Sequence, residues 1–167
     1  MRVGRYDDIL PSRRQRQAFA CGVPSLDRWL ATQARQSLRS RDAVTYLLID
    51  GELIAGYYCL SAGEVGRVAT PGELARGSPE RIPVVRMGRF AIAASHQGQG
   101  WGAELLRHAL LTAYDVGQYI GARAMIVDAT NADAATFYQR FGFVPSPTHP
   151  LQLLCDLREV GRAAGHN

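Results

Sequence analysis

The stretch "ASHQGQGWGAELL", residues 94–106, places Gly98, Gly100 and Gly102 at alternate positions directly before an apolar helical pattern. The preceding run "VVRMGRFAIA", residues 84–93, reads as a strand. Leu105, Leu106, Ala109, Leu110, Ala113, Val116 and Ile120 then mark one face of a long helix ending near Gly121. The glycines therefore fall where a helix begins, and the first backbone N–H groups of a helix have no acceptor within it. Side chains would hold a ligand away from those groups, whereas glycine at every second position admits the oxygens of an anion. A tight turn alone needs one such residue. Three within five positions point to a bound pyrophosphate.

Working outward, "RAMIVDA" (123–129) is a buried strand and "NADAATFYQRFG" (131–142) a short helix capped by Asn131 or Asp133 and stopped at Gly142. "LQLLCDLREV" (151–160) is a final strand. Upstream, two β-rich runs flank Asp50-Gly51, a hairpin signal, and residues 67–83 read as a proline-containing loop. "VPSLDRWLATQARQSL" spaces Leu26, Trp29, Leu30, Gln33 and Ala34 as the inner face of one amphipathic helix with Ser25 as its N-cap. This order predicts a single α+β domain over residues 1–160 with one central βαβ crossover, and a disordered tail over 161–167.

Composition narrows the function. No segment approaches the run of about 18 apolar residues that a membrane span needs, and the N-terminus has no apolar targeting core, which predicts a cytoplasmic protein. Cys21, Cys59 and Cys155 form no CxxC pair and the histidines are scattered, so no disulfide framework and no metal site is expected. The formal net charge is +4, and all 19 basic residues are arginine. The positive charge thus sits on planar forks suited to phosphate, and no ε-amine exists to be acylated. Arginines crowd the first 41 residues against only Asp7, Asp8 and Asp27, a candidate polyanion surface.

Three phosphate-binding patterns compete at the glycines. A P-loop needs Gly-Lys-Ser/Thr, which a lysine-free chain cannot supply. A dinucleotide fingerprint can be drawn through Gly98, Gly100 and Ala103 with Asp128 ending the next strand, but a hairpin precedes it and too little chain follows Asp128 for a doubly wound sheet. The third pattern, Q/R-x-x-G-x-G/A over residues 97–102, fits together with "RFAIA" before it and "FYQRFGF" after it. In order and spacing, residues 43–143 resemble the GNAT superfamily of acetyl-CoA-dependent N-acyltransferases.

That resemblance implies a mixed, mostly antiparallel central sheet flanked by helices, with acetyl-CoA in the cleft between two splayed parallel central strands. It implies that Gln97, Gly98, Gln99, Gly100, Trp101 and Gly102 hold the pyrophosphate, and that the backbone of Ala91 and Ile92 pairs with the pantetheine arm. Tyr138 would protonate the departing thiolate, since a phenol with a pKa near ~10 keeps its proton at neutral pH. Phe137, Phe141 and Phe143 read as packing.

The segment "FACGVPSLDRWL", with "YYCLSAG" (57–63) and "GFVPSP" (142–147), is similar to one GNAT branch, the toxins of type II toxin–antitoxin pairs that acetylate the α-amino group of aminoacyl-tRNA and stop translation. This likeness implies a homodimer and a ribbon-helix-helix antitoxin that binds operator DNA, with the toxin as corepressor. An α-amine has a pKa near ~7.7, so it largely supplies its own free base. Glu52, Glu64 and His96 are the general bases possible by position. Arg13, Arg14 and Arg16, with Arg86 and Arg89 on the strand before the glycines, would hold tRNA phosphates. An ordinary GNAT enzyme acting on a small amine, a peptide N-terminus or a protein lysine shares the motifs from Gly88 onward. A CoA-binding regulatory module with little turnover is the further alternative.

Overall fold

A computed structural model describes residues 1–166. The chain runs β1 (Arg2–Arg5), α1 (Tyr6–Ile9), α2 (Arg13–Ala18), α3 (Pro24–Thr32), α4 (Ala34–Arg39), β2 (Val44–Asp50), β3 (Leu53–Gly66), α5 (Gly72–Ala75), β4 (Arg81–Ile92), α6 (Trp101–Ile120), β5 (Ala124–Asp128), α7 (Ala132–Gln139), β6 (Val144–Pro145), β7 (Gln152–Asp156) and α8 (Leu157–Ala163). The described strands form one mixed sheet in the order β1-β2-β3-β4-β5-β7-β6. β4 and β5 are parallel, from Val84 opposite Ala124 to Met87 opposite Val127. The connection between them is α6, the crossover that the glycine junction predicts.

The contacts divide the chain into two compact units, residues 1–61 with 88–109, and residues 62–87 with 110 onward. The first packs Tyr6, Phe19, Trp29, Leu30, Leu47, Tyr57 and Ala91 into one core. Its β2 and β3 form the hairpin, with Leu47 opposite Tyr57 and a bulge between Leu48 and Ile49. The second packs Val65, Leu74, Ile82, Val84, Ala124, Ile126 and Leu154.

Several expectations change. The single helix over 23–38 is two, interrupted at Gln33 (φ −120°), and the first helix starts with Pro24 at its opening position after Val23, so Ser25 is not the cap. Proline suits that position because its missing N–H would be unpaired there anyway. Ser12 and Gln15 form a reciprocal capping box that starts the unforeseen α2. The strand expected through Val160 ends at Asp156, whose carboxylate accepts from the Arg158 amide and opens α8 with Leu157 and Gly161 buried. That helix reaches Ala163, so residues expected in a disordered tail are helical, while Asn167 lies outside the described residues. Ile120, expected on the inner face of α6, is exposed.

Candidate active site

The expected site residues fall in both units. In the first, a short 3₁₀ turn (Ala94–His96) leads from β4 into the glycines. Gly98 (φ +74°) and Gly100 (φ +86°) adopt the left-handed conformation that L side chains avoid, and a Cβ built on either meets no protein atom within 4 Å. Packing therefore does not demand glycine here; the backbone conformation does, and both residues are exposed. Gly102 differs, since it already lies within α6 and in the first helical turn. The first intrahelical bond runs from the Glu104 amide to the Gly100 carbonyl at 3.3 Å. The amides of Trp101, Gly102 and Ala103 precede it and have no acceptor inside the helix. These groups fit an anionic diphosphate.

Gln97 does something the motif alone does not show. Its Nε2 donates to the Cys21 carbonyl and to the Ile92 carbonyl, both at 2.8 Å, so its side chain straps the loop to the protein. Gln99 Nε2 likewise donates to the Ser95 carbonyl at 3.0 Å. Ala91 is buried, and the Ile92 carbonyl already receives Gln97. The Cys21 end of the strap is held in turn by Asp27, whose Oδ1 accepts from the Cys21 amide at 2.9 Å. Tyr57 completes this support: its hydroxyl donates to the Leu26 carbonyl at 2.7 Å, and its ring stacks on Trp29 and meets Phe19 edge-on. Phe19, Leu26, Asp27 and Trp29 are thus the buttress of the glycine loop. Sequence reasoning missed Asp27 in this role, although an acidic residue six positions after Cys21 and just inside a helix was the available signal.

His96 and Asp50 were also missed as a pair. His96 Nε2 lies 2.9 Å from Asp50 Oδ2, and Nδ1 lies 2.8 Å from Ser95 Oγ. Both ring nitrogens are engaged. Glu64 pairs with Arg81 at 2.6 Å, and Glu52 is exposed at the hairpin turn.

The arginines separate into two kinds. Arg13 and Arg14 are exposed on α2, whereas Arg16 is half-buried and donates to the Ala31 carbonyl at 3.1 Å. The Arg89 guanidinium sits 4.3 Å from the centre of the Trp29 ring, a cation–π contact inside the first unit. Burial raises the Cys59 thiol, and Arg89 acts against that rise. Cys21, Cys59 and Cys155 are all buried free thiols, with Cys21 pushed up to about 11 by burial, the opposite of a reactive nucleophile.

In the second unit Tyr138 lies on α7, which Asn131 caps by accepting from the Ala134 amide. The Tyr138 ring is buried and meets Phe137 and Phe143 at centroid distances of 5.4 and 5.5 Å. Burial pushes its phenol up to about 12, so the group remains a proton donor throughout the neutral range. Arg86 in this unit is paired with Asp128 at 2.7 Å. Among the described residues no group of His, Cys, Asp or Glu is placed to hold a metal, and no helix is long and apolar enough to cross a membrane.

A mixed sheet with a parallel β4–α6–β5 unit, a glycine turn at the start of α6 and a buried tyrosine on the following helix define an acyltransferase of the GNAT class. The model of the GNAT acetyltransferase domain matches residues 42–145, and the chain belongs to that family. It is 32% identical over 164 residues to the tRNA-acetylating toxin of Mycobacterium tuberculosis, across 98% of this chain and 95% of the relative. Among solved structures, AtaT complexed with acetyl-methionyl-tRNAfMet matches with a TM-score of 0.89 and 29% identity over 98% of each chain. A tyrosine-to-phenylalanine mutant of AtaT bound to the C-terminus of the antitoxin AtaR and acetyl-CoA matches with a TM-score of 0.79 and 27% identity, over 98% of this chain and 97% of that one.

Proposed function

We propose that this protein transfers an acetyl group from acetyl-CoA to the α-amino group of aminoacyl-tRNA and thereby stops translation, as a toxin held in check by a cognate antitoxin. The observation that carries the reading is the glycine loop, two left-handed glycines just before α6 where a side chain would point into open space. The likeness over nearly the whole chain to a tRNA-acetylating toxin supports the acceptor.

Acetyl-CoA supplies the activated acetyl group. The amides of Gly98 to Gly102 bind its diphosphate, and the backbone around Ala91 and Ile92 orients the arm that carries the thioester. Tyr138 donates its proton to the leaving sulfur, and the elevated phenol pKa keeps that proton in place until it is needed. Arg13 and Arg14 hold tRNA phosphates, the role for which their exposure suits them best among the expected arginines. We assign the antitoxin to the ribbon-helix-helix kind, operator DNA to the toxin–antitoxin complex, the active form to a homodimer and the site of action to the cytoplasm, where charged tRNA is used.

The test is transfer of label from radioactive acetyl-CoA into acid-precipitable RNA, with charged and deacylated tRNA, for the wild type and Tyr138→Phe. Label confined to charged tRNA and lost in the variant is the expected result. Equal label with deacylated tRNA, or none with either, would remove the proposed acceptor.

A further inference from the structure

The turn entering the glycine loop is anchored from several sides. The Ala93 amide donates to the Ala55 carbonyl and the Ala94 amide to the Ala20 carbonyl, both at 2.8 Å. His96 closes the turn, its side chain only 10% exposed, against an Asp50 side chain that is 50% exposed at the end of β2. A carboxylate can only accept, so His96 Nε2 carries a proton toward Asp50, and in the neutral ring Nδ1 accepts from the Ser95 hydroxyl. Up to Gln97 the chain is therefore restrained by side chains and backbone alike, while Gly98 and Gly100 beyond it have no side chains to restrain them. His96 stands directly before Gln97, whose side chain holds the Cys21 and Ile92 carbonyls, so the placement of His96 bears on where the glycines start.

We propose that His96, held by Asp50, is a positioning residue for the pyrophosphate loop: it sets the placement of the amides from Gly98 to Trp101 and so the affinity for acetyl-CoA, without touching the cosubstrate. This rests on the reading of that loop as the diphosphate site. Replacing His96 strands no buried charge. Asp50 is half exposed and turns to water when His96 is replaced, and Ser95 is exposed as well.

The experiment is calorimetric titration with acetyl-CoA of the wild type, His96→Leu, His96→Gln, Asp50→Ala and the Asp50→Ala/His96→Leu double variant, alongside Gly100→Ala, with kcat measured at saturating acetyl-CoA. His96→Leu and Asp50→Ala should each raise Kd about ten-fold, the effect of a displaced loop losing one hydrogen bond from its amides to the diphosphate. The double variant should be no weaker than either, because both remove the same contact. His96→Gln, which keeps a donor toward Asp50, should recover most of the loss, and kcat should stay within about two-fold in the His96 and Asp50 variants. An unchanged Kd in Asp50→Ala and His96→Leu, or a loss of kcat with Kd intact, would overturn the positioning role. Asp50→Ala carries the test should His96→Leu not fold. If Gly100→Ala also left Kd unchanged, the diphosphate reading itself would fall; if it alone weakened binding, that reading would stand and only the role of His96 would go.

Discussion

The sharpest separation of structural from functional roles comes from Gly100→Ala. At φ +86° with no protein atom within 4 Å of the added methyl, the substitution burdens the folded state with conformational strain alone. For an L residue in the left-handed region that strain is about 1–2 kcal/mol. In a chain of this length it lowers Tm by about 2–8 °C. The same strain is present with and without acetyl-CoA, so it cancels from the dissociation constant. What does not cancel is the methyl group itself, which enters the space kept clear beside the helix-start amides. One charge-assisted hydrogen bond to a phosphate oxygen is worth about 1.5–3 kcal/mol. Its loss raises Kd by roughly ten- to a hundred-fold. Calorimetric titration with acetyl-CoA and a thermal melt on the same preparation read the two effects independently. A lowered Tm with Kd within about two-fold of wild type would show that the glycine serves the turn only, and the diphosphate assignment would be refuted.

Tyr138→Phe keeps the ring among Phe137 and Phe143 and removes only the hydroxyl; kcat should fall by about 10²–10⁴ with acetyl-CoA Kd unchanged, as measured by single-turnover label transfer and titration. The rate against pH should climb as the acceptor α-amine loses its proton near ~7.7 and show no falling limb up to pH 9, because burial raises the Tyr138 pKa to about 12 and keeps the acid form. By the same sign, the stability gained from burying this phenol protonated is complete below its unfolded value near ~10 and is lost as pH rises from there toward about 12, which alkaline denaturation would register. Charge reversal of Arg13 and Arg14 together should weaken tRNA binding and flatten its salt dependence by about two units of slope, read from filter binding across a salt series. Asp27→Ala strips the acceptor from the Cys21 amide and should cost about 1–3 kcal/mol in urea unfolding while also loosening the Gln97 strap.

Much of this fold was legible because it is written in local rules. Asp50-Gly51 forces the β2–β3 hairpin, Asn131 caps α7, and the glycine turn separates a strand from an amphipathic helix with little ambiguity. The errors arose where a pattern of apolar spacing was extended past a break that side chains impose. Leu157 continues the apolar run of β7, but the Asp156 carboxylate caps a helix there, and a cap outweighs a short stretch of alternation. Leu26 through Ala34 keeps helical spacing across Gln33, where the backbone leaves helical geometry. At the site, residue types tied to a backbone motif were readable, whereas long-range pairs were not. Gln97 with Cys21 and His96 with Asp50 are separated by 76 and 46 positions, and nothing in their local sequence announces the partner.

The same pairs bear on why no general base stands out. A base must have a free acceptor near the amine and a pKa that lets it take a proton. His96 has both ring nitrogens engaged and Glu64 is bound to Arg81, while Glu52 is exposed at a hairpin turn. His108, the imidazole on α6, has its pKa lowered by burial, but its Nδ1 faces the Tyr58 hydroxyl at 2.8 Å. An acceptor with an amine pKa near ~10.4 would be almost entirely charged at neutral pH and would need one of these groups released. An α-amine with a pKa near ~7.7 needs none, since a substantial fraction is already free to attack. On the proposed reading the chain's own chemistry reduces to binding a diphosphate, aligning a thioester and supplying one proton, which is what a glycine turn, a strand backbone and a buried tyrosine can do. The substrate that best matches this sparse equipment is an amine made acidic by its neighbouring ester, the aminoacyl end of a charged tRNA.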